Sequence, residues 1–203
     1  MFLLNYFEII GTVAFAISGA VIGIEKKLDI FGITFLAIVT SVGGGIFRDI
    51  IIGNTPPTAF VNPTSSIISI FTALVVFFFY EKKSKFEKII IISDALGLGV
   101  FTAIGCRTAI IRGADNAIFV IAMGLSTGVG GGMIRDILVE NVPFVLKREI
   151  YALASIIGAL CFFFFYSYFP EIISLYLCCA IIFIIRITSV KYNINLPAFK
   201  NWK

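Results

Sequence analysis

Residues 43–50 read Gly-Gly-Gly-Ile-Phe-Arg-Asp-Ile, and residues 130–137 read Gly-Gly-Gly-Met-Ile-Arg-Asp-Ile; six of the eight positions are identical at an offset of 87. A match of this kind inside 203 residues marks one structural unit used twice. The same offset carries Thr40 onto Thr127 and Pro56 onto Pro143. An offset of 86 carries Gly11, Phe15 and Gly19 onto Gly97, Phe101 and Gly105, and Glu8 onto Asp94. The whole first half therefore matches the second, with a single-residue shift between the two registers.

The unit is built of apolar runs. A membrane-spanning helix needs about 20 mainly apolar residues. Seven stretches qualify, near 3–24, 29–52, 61–80, 89–112, 116–139, 149–168 and 171–190. Only 14% of the residues are charged and the mean hydropathy is +1.03, whereas soluble domains carry about 25% charge. A surface facing mostly water is excluded. The first Lys is Lys26 and further spans follow, so the initial run is expected to be a retained helix, not a cleaved signal.

These runs predict an all-α membrane protein. The first repeat, 1–80, and the second, 89–168, each hold three spans; 171–190 is a seventh helix and 191–203 a tail. Three is odd, so the second unit enters the membrane from the opposite side. An inverted 3+3 repeat plus one helix is the expected architecture. Lys and Arg set the orientation. Eleven of the sixteen fall on one side: Lys26, Lys27, Lys82, Lys83, Lys85, Lys88, Lys147, Arg148, Lys191, Lys200 and Lys203. Only Arg112 falls on the other, so the N-terminus is expected outside and the C-terminus in the cytoplasm of a bacterial or archaeal cell, in its inner membrane.

Several chemistries lack their residues. Histidine is absent, which removes the commonest metal ligand and general base. Cys106, Cys161, Cys178 and Cys179 lie in apolar runs without a C-x-x-C pair, and read as small apolar filler. No basic stretch interleaved with aromatics supports nucleic-acid binding. No zincin, Walker A, dinucleotide-binding or nucleophile-elbow motif points to an enzyme. No cofactor or resident metal is expected.

Attention falls on the duplicated motif. Each Gly costs a helix about 1 kcal/mol relative to Ala, so Gly43-Gly44-Gly45 and Gly130-Gly131-Gly132 are expected to kink or unwind the second and fifth spans. Carbonyls freed before the break, near Gly43 and Gly130, would then be placed to hold K⁺ or Na⁺ transiently. Close helix packing explains small residues equally well. Arg48-Asp49 and Arg135-Asp136 put charge at membrane depth, at about 2.5–3.5 kcal/mol for each charged residue. Neighbours in sequence point about 100° apart, so a crossed pairing of Arg48 with Asp136 and Arg135 with Asp49 is expected; it would serve as a lock between halves, a pore flank, or both. Glu8 and Asp94 form a second matched acidic pair, placed to draw in cations or to be solvated at the interface. Arg107 and Arg186 have no repeat counterpart. Thr40, Ser41 and Thr127 either line a pathway or bond back to the i−4 carbonyl. Pro56, Pro57 and Pro143 end the broken helices.

Paired Gly-Gly-Gly-x-x-Arg-Asp motifs, one per three-helix unit with a seventh helix behind them, resemble the prokaryotic family of trimeric intracellular cation (TRIC) channels. Its bacterial members are also grouped as a glycine-transporter or uncharacterised membrane family. Phe15-Ala16-Ile17-Ser18-Gly19-Ala20, Lys27-Leu28-Asp29-Ile30-Phe31-Gly32, Asp94-Ala95-Leu96-Gly97-Leu98 and Val142-Pro143-Phe144-Val145-Leu146 carry the likeness further. The resemblance covers roughly residues 5–190. It implies a homotrimer in membrane lipid, one monovalent-cation pore per protomer, K⁺ as the permeant ion, and gating at the kinked second and fifth helices. Under it, Arg48, Asp49, Arg135 and Asp136 flank the pore. Read from the residues alone, a carrier for a small zwitterion such as glycine stays open, because inverted repeats with broken helices also build carriers.

Overall fold

The computed structural model describes residues 2–80, 86–147 and 150–195. Most of the charged connector at 81–88, Arg148 and the tail beyond Asn195, with Lys200 and Lys203, lie outside the described residues. The chain is all-helical: α1 (Phe2–Glu25), α2 (Ile30–Ile51), α3 (Thr58–Val61), α4 (Thr64–Phe79), α5 (Phe86–Ile111), α6 (Ala117–Leu138), α7 (Phe144–Lys147), α8 (Ile150–Phe165) and α9 (Glu171–Lys191). Five of them, α1, α2, α5, α6 and α9, are long and apolar enough to cross a membrane. α4 and α8, at 16 residues each, are shorter than the stretches 61–80 and 149–168 expected there. Pro63 is the reason in the first case: it stands at the N-cap of α4 and separates it from the four-residue α3.

The repeat is visible in the way helices begin and end. Asp29 caps α2 by accepting from the Gly32 N–H at 2.7 Å, and Asn116, 87 positions on, caps α6 by accepting from the Ile118 N–H at 2.8 Å. α2 ends in a left-handed residue at Gly53 (φ +70°), and α6 ends in one at Glu140 (φ +56°). The N–H groups that follow close onto Asp49 O and Asp136 O at 2.8 and 2.9 Å. α1 and α5 end alike, in Lys27 (φ +58°) and Gly113 (φ +88°).

α1, α2, α5 and α6 pack around one another at the centre, α4 lies against α1 and α2, and α8 against α5 and α6. α9 has no mate. It packs on α5 and α8, with Leu175, Cys178 and Ile182 in an apolar core that also holds Leu98, Cys106 and Phe162. On the central axis Phe15 stacks on its repeat counterpart Phe101, with centroids 5.2 Å apart. The outward face is apolar as well: Phe31, Phe78, Phe79 and Ile118 are 72–80% exposed. Large apolar side chains on the outside of a helical core with charges inside are suited to lipid, not water.

Candidate functional site

The two Arg-Asp pairs sit in the last turns of α2 and α6, at opposite ends of the central four helices. Each carboxylate bridges its helix to the segment after it. Asp49 Oδ1 accepts from Arg48 Nε and Nη2 at 3.0 and 2.8 Å, while Oδ2 accepts from the Thr58 N–H at 2.7 Å. Asp136 Oδ1 accepts from Arg135 Nε at 2.8 Å, and its Oδ2 from the Phe144 N–H at 2.9 Å. The crossed pairs expected from the sequence do not form. An arginine is long enough to fold back onto the next residue, and here that carboxylate is already fixed by a backbone N–H from α3 or α7.

The surroundings of the two pairs differ. Arg135 is fully buried, and its Nη1 donates to Asp94 Oδ1 and Ser18 Oγ, both at 2.7 Å. Asp94 is thus an interior group, not an interfacial one. Its repeat mate Glu8 is exposed; the Ser65 hydroxyl donates to it at 3.4 Å. Glu8, Gly45, Arg48 and Asp49 line an open cavity of about 270 Å³ between α1, α2, α4 and α5. Arg107 and Arg112 stand at its mouth, Arg107 paired with Glu171 of α9 and Arg112 donating to Asn54 Oδ1 at 2.7 Å. Arg186 lies over the Tyr151 ring, 4.6 Å from its centroid.

The glycine triplets lie inside continuous helices, so of the kink or unwinding expected there the unwinding is absent. Their members face different things. A β-carbon on Gly44 would overlap the Thr127 carbonyl oxygen, and one on Gly131 would overlap the Thr40 carbonyl oxygen. Added to Gly43 or Gly130 it would lie 3.1 Å from Ile134 or from the Gly44 α-carbon. So the first two glycines of each triplet let α2 and α6 cross at backbone distance. The third faces away from the crossing: Gly45 towards the open cavity, Gly132 towards Tyr151 and Arg135. The Thr40 and Thr127 carbonyls therefore lie against glycine α-carbons. The Thr40 and Thr127 hydroxyls bond back to Leu36 O and Met123 O, each at 2.6 Å. Ser41 shares a 2.6 Å hydrogen bond with Ser69 of α4 and lies at the cavity wall.

Sequence reasoning missed Ser18, Tyr151 and the backbone N–H groups of Thr58 and Phe144. The shared carboxylate contact sets Thr58 opposite Phe144 and hence Ser65 opposite Tyr151, one residue off the frame that carries Pro56 onto Pro143, so the repeat read in sequence did not align them.

With this geometry in view, the likeness to known proteins is specific. The profile of the family described as Glycine transporter matches twice, at residues 5–81 and 91–167. The UPF0126 inner membrane protein YadS of Escherichia coli is 33% identical over 200 residues, covering 97% of this chain and 96% of YadS. The crystal structure of a prokaryotic TRIC channel in 0.5 M KCl superposes with a TM-score of 0.90 at 39% identity, covering 97% of this chain and 100% of that one. The TRIC orthologue from Rhodobacter sphaeroides gives a TM-score of 0.90 at 30% identity, covering 96% and 100%. With a matched profile over both halves and a fold shared almost end to end, this chain is a membrane protein that belongs to the prokaryotic TRIC family.

Proposed function

We propose that this protein is a channel for monovalent cations, K⁺ among them, with a pathway inside each protomer between α1, α2, α5 and α6. The observation that carries this reading is the charged, open cavity among α1, α2, α4 and α5, in a fold shared with TRIC cation channels. Seven helices span the bilayer. α4 and α8 are about 24 Å long at 1.5 Å per residue, against about 30 Å of hydrocarbon, and α3 and α7 make up the remaining depth. The second three-helix unit runs inverted to the first. The Lys-rich connectors face the cytoplasm of an inner membrane, with the N-terminus outside. α2 and α6 bend at their glycine triplets when the pathway conducts, and the assembly is a homotrimer, as the TRIC name describes for the relatives. K⁺ or Na⁺ passes through without a resident cofactor.

The test is a planar bilayer with asymmetric KCl and the Gly45→Leu variant. A β-carbon at Gly45 meets nothing nearer than Arg48 Nη2 at 3.8 Å, and the position lines the cavity that the larger side chain is meant to fill. Discrete steps that reverse near the K⁺ equilibrium potential, reduced several-fold in Gly45→Leu, support the channel. Saturable glycine uptake by proteoliposomes with no unitary current would refute it in favour of a carrier.

A further inference from the structure

The repeat allows each wall of the open cavity to be traced to its counterpart in the second unit. Gly45 maps to Gly132, Arg48 to Arg135, Asp49 to Asp136 and Glu8 to Asp94. The counterpart is a second chamber with no room for a water molecule. Two exchanges account for the difference. Thr58 becomes Phe144, and Ser65 becomes Tyr151. Tyr151 is 2% exposed, and its hydroxyl lies 3.4 Å from where a Gly132 β-carbon would stand. The Arg135 guanidinium stacks on the Phe144 ring at 5.3 Å and is drawn by Asp94 onto the same spot.

The filling is dry, and it leaves a buried donor short of a partner. Arg135 Nη2 is buried with no hydrogen bond among the described residues, and the Tyr151 hydroxyl is held against the Asp94 carboxylate. Orphaned polar atoms of this kind are expensive unless another state satisfies them. Beyond Phe144 the molecule opens again, into a cavity of about 270 Å³ lined by Glu25, Lys26 and Glu87. Phe144 lines both spaces, so it stands between this outer cavity and the closed chamber.

We infer that Phe144 and Tyr151, held in place by Asp136 and the Asp94–Arg135 pair, form the closed constriction of the pathway at the end that carries Lys26 and Glu87. Withdrawal of α7 removes Phe144, admits water to Gly132, and hydrates Arg135 Nη2. The two halves would then be alike, each with an open, charge-lined chamber. This inference rests on the channel reading, and accessibility separates the two. Gly45→Cys and Gly132→Cys proteins, full-length and in nanodiscs, are exposed to a cationic methanethiosulfonate. The parent protein sets the background from Cys106, Cys161, Cys178 and Cys179.

Gly132→Cys is expected to react at least tenfold more slowly than Gly45→Cys. Adding Phe144→Thr or Tyr151→Ser should raise its rate at least tenfold and lengthen channel openings. The reverse pair, Thr58→Phe with Ser65→Tyr, should protect Gly45→Cys, and it keeps the test sharp if a gate variant does not fold. Faster labelling without K⁺ current leaves the constriction standing and sinks the channel. Current with equal labelling of Gly45→Cys and Gly132→Cys in otherwise native protein, or labelling of Gly132→Cys unmoved by folded Phe144→Thr and Tyr151→Ser variants, overturns the constriction.

Discussion

Arg48 and Arg135 occupy equivalent places in the repeat, yet their removal should have very different consequences. Arg135→Met takes away the cation that both Asp94 and Asp136 face, and those carboxylates are each only 1% exposed. Removing one partner of a buried ion pair costs about 3–5 kcal/mol. Arg48→Met also removes a partner from a carboxylate that is 1% exposed, but Asp49 has no second buried acid beside it and lines the open cavity, where water replaces the guanidinium. That loss is closer to a solvent-replaced charge-assisted contact, about 1.5–3 kcal/mol. The difference, centred on about 2 kcal/mol, becomes a Tm gap of roughly 4–8 °C for a chain of this size. Buried Cys106 and Cys178 provide the readout, through a thiol-reactive fluorophore that reports their exposure on heating in detergent. Adding Asp94→Asn to Arg135→Met should recover about 1–2 kcal/mol by discharging one orphaned carboxylate. Equal melting losses for Arg48→Met and Arg135→Met, or no recovery in the double variant, would refute the claim that only the second network is dry.

Gly44→Ala and Gly131→Ala should each destabilise by about 1–3 kcal/mol, because the new methyl overlaps a carbonyl oxygen across the α2–α6 crossing. Gly45→Ala and Gly132→Ala have no backbone neighbour to meet and should be neutral or stabilising by up to about 1 kcal/mol; the same melting assay ranks all four. A double-mutant cycle on Arg107→Ala and Glu171→Ala should give a coupling below about 1 kcal/mol, since both side chains are partly exposed. Glu8→Gln should lower K⁺ conductance in about 0.1 M KCl, where the screening length is about 10 Å, and leave it unchanged in about 1 M KCl, where it is about 3 Å.

The duplicated motif made most of the helical framework readable before any coordinates. All seven helices of 16 residues or more have both ends within three residues of the apolar runs, because long stretches with Asp29, Asn116, Gly53 and Gly113 at their limits leave little freedom. α4 starts three residues into its run because Pro63 interrupts a stretch that is apolar on both sides of it. The glycine triplets were harder to interpret. Three consecutive glycines look like a break when a helix is considered alone. Only the crossing of α2 and α6 shows two of them serving packing and the third left to face a chamber.

Charge was the least legible feature, for a physical reason. A count of four acids and four arginines within the spans carries no sign preference, and angular position on a helix does not say which carboxylate an arginine will reach. The choice is made by what else holds the carboxylate. Asp49 and Asp136 are fixed by the backbone N–H groups of Thr58 and Phe144, so each takes the arginine beside it. Arg135 then has a donor left for Asp94, which lies close in the dry second chamber. In the first unit the open chamber leaves Glu8 facing solvent, without an ion pair among the described residues. The same motif thus yields a neutralised acid in one half and an unpaired one in the other. Under the channel proposal, that unpaired carboxylate in the wall of the accessible cavity is the group expected to attract cations.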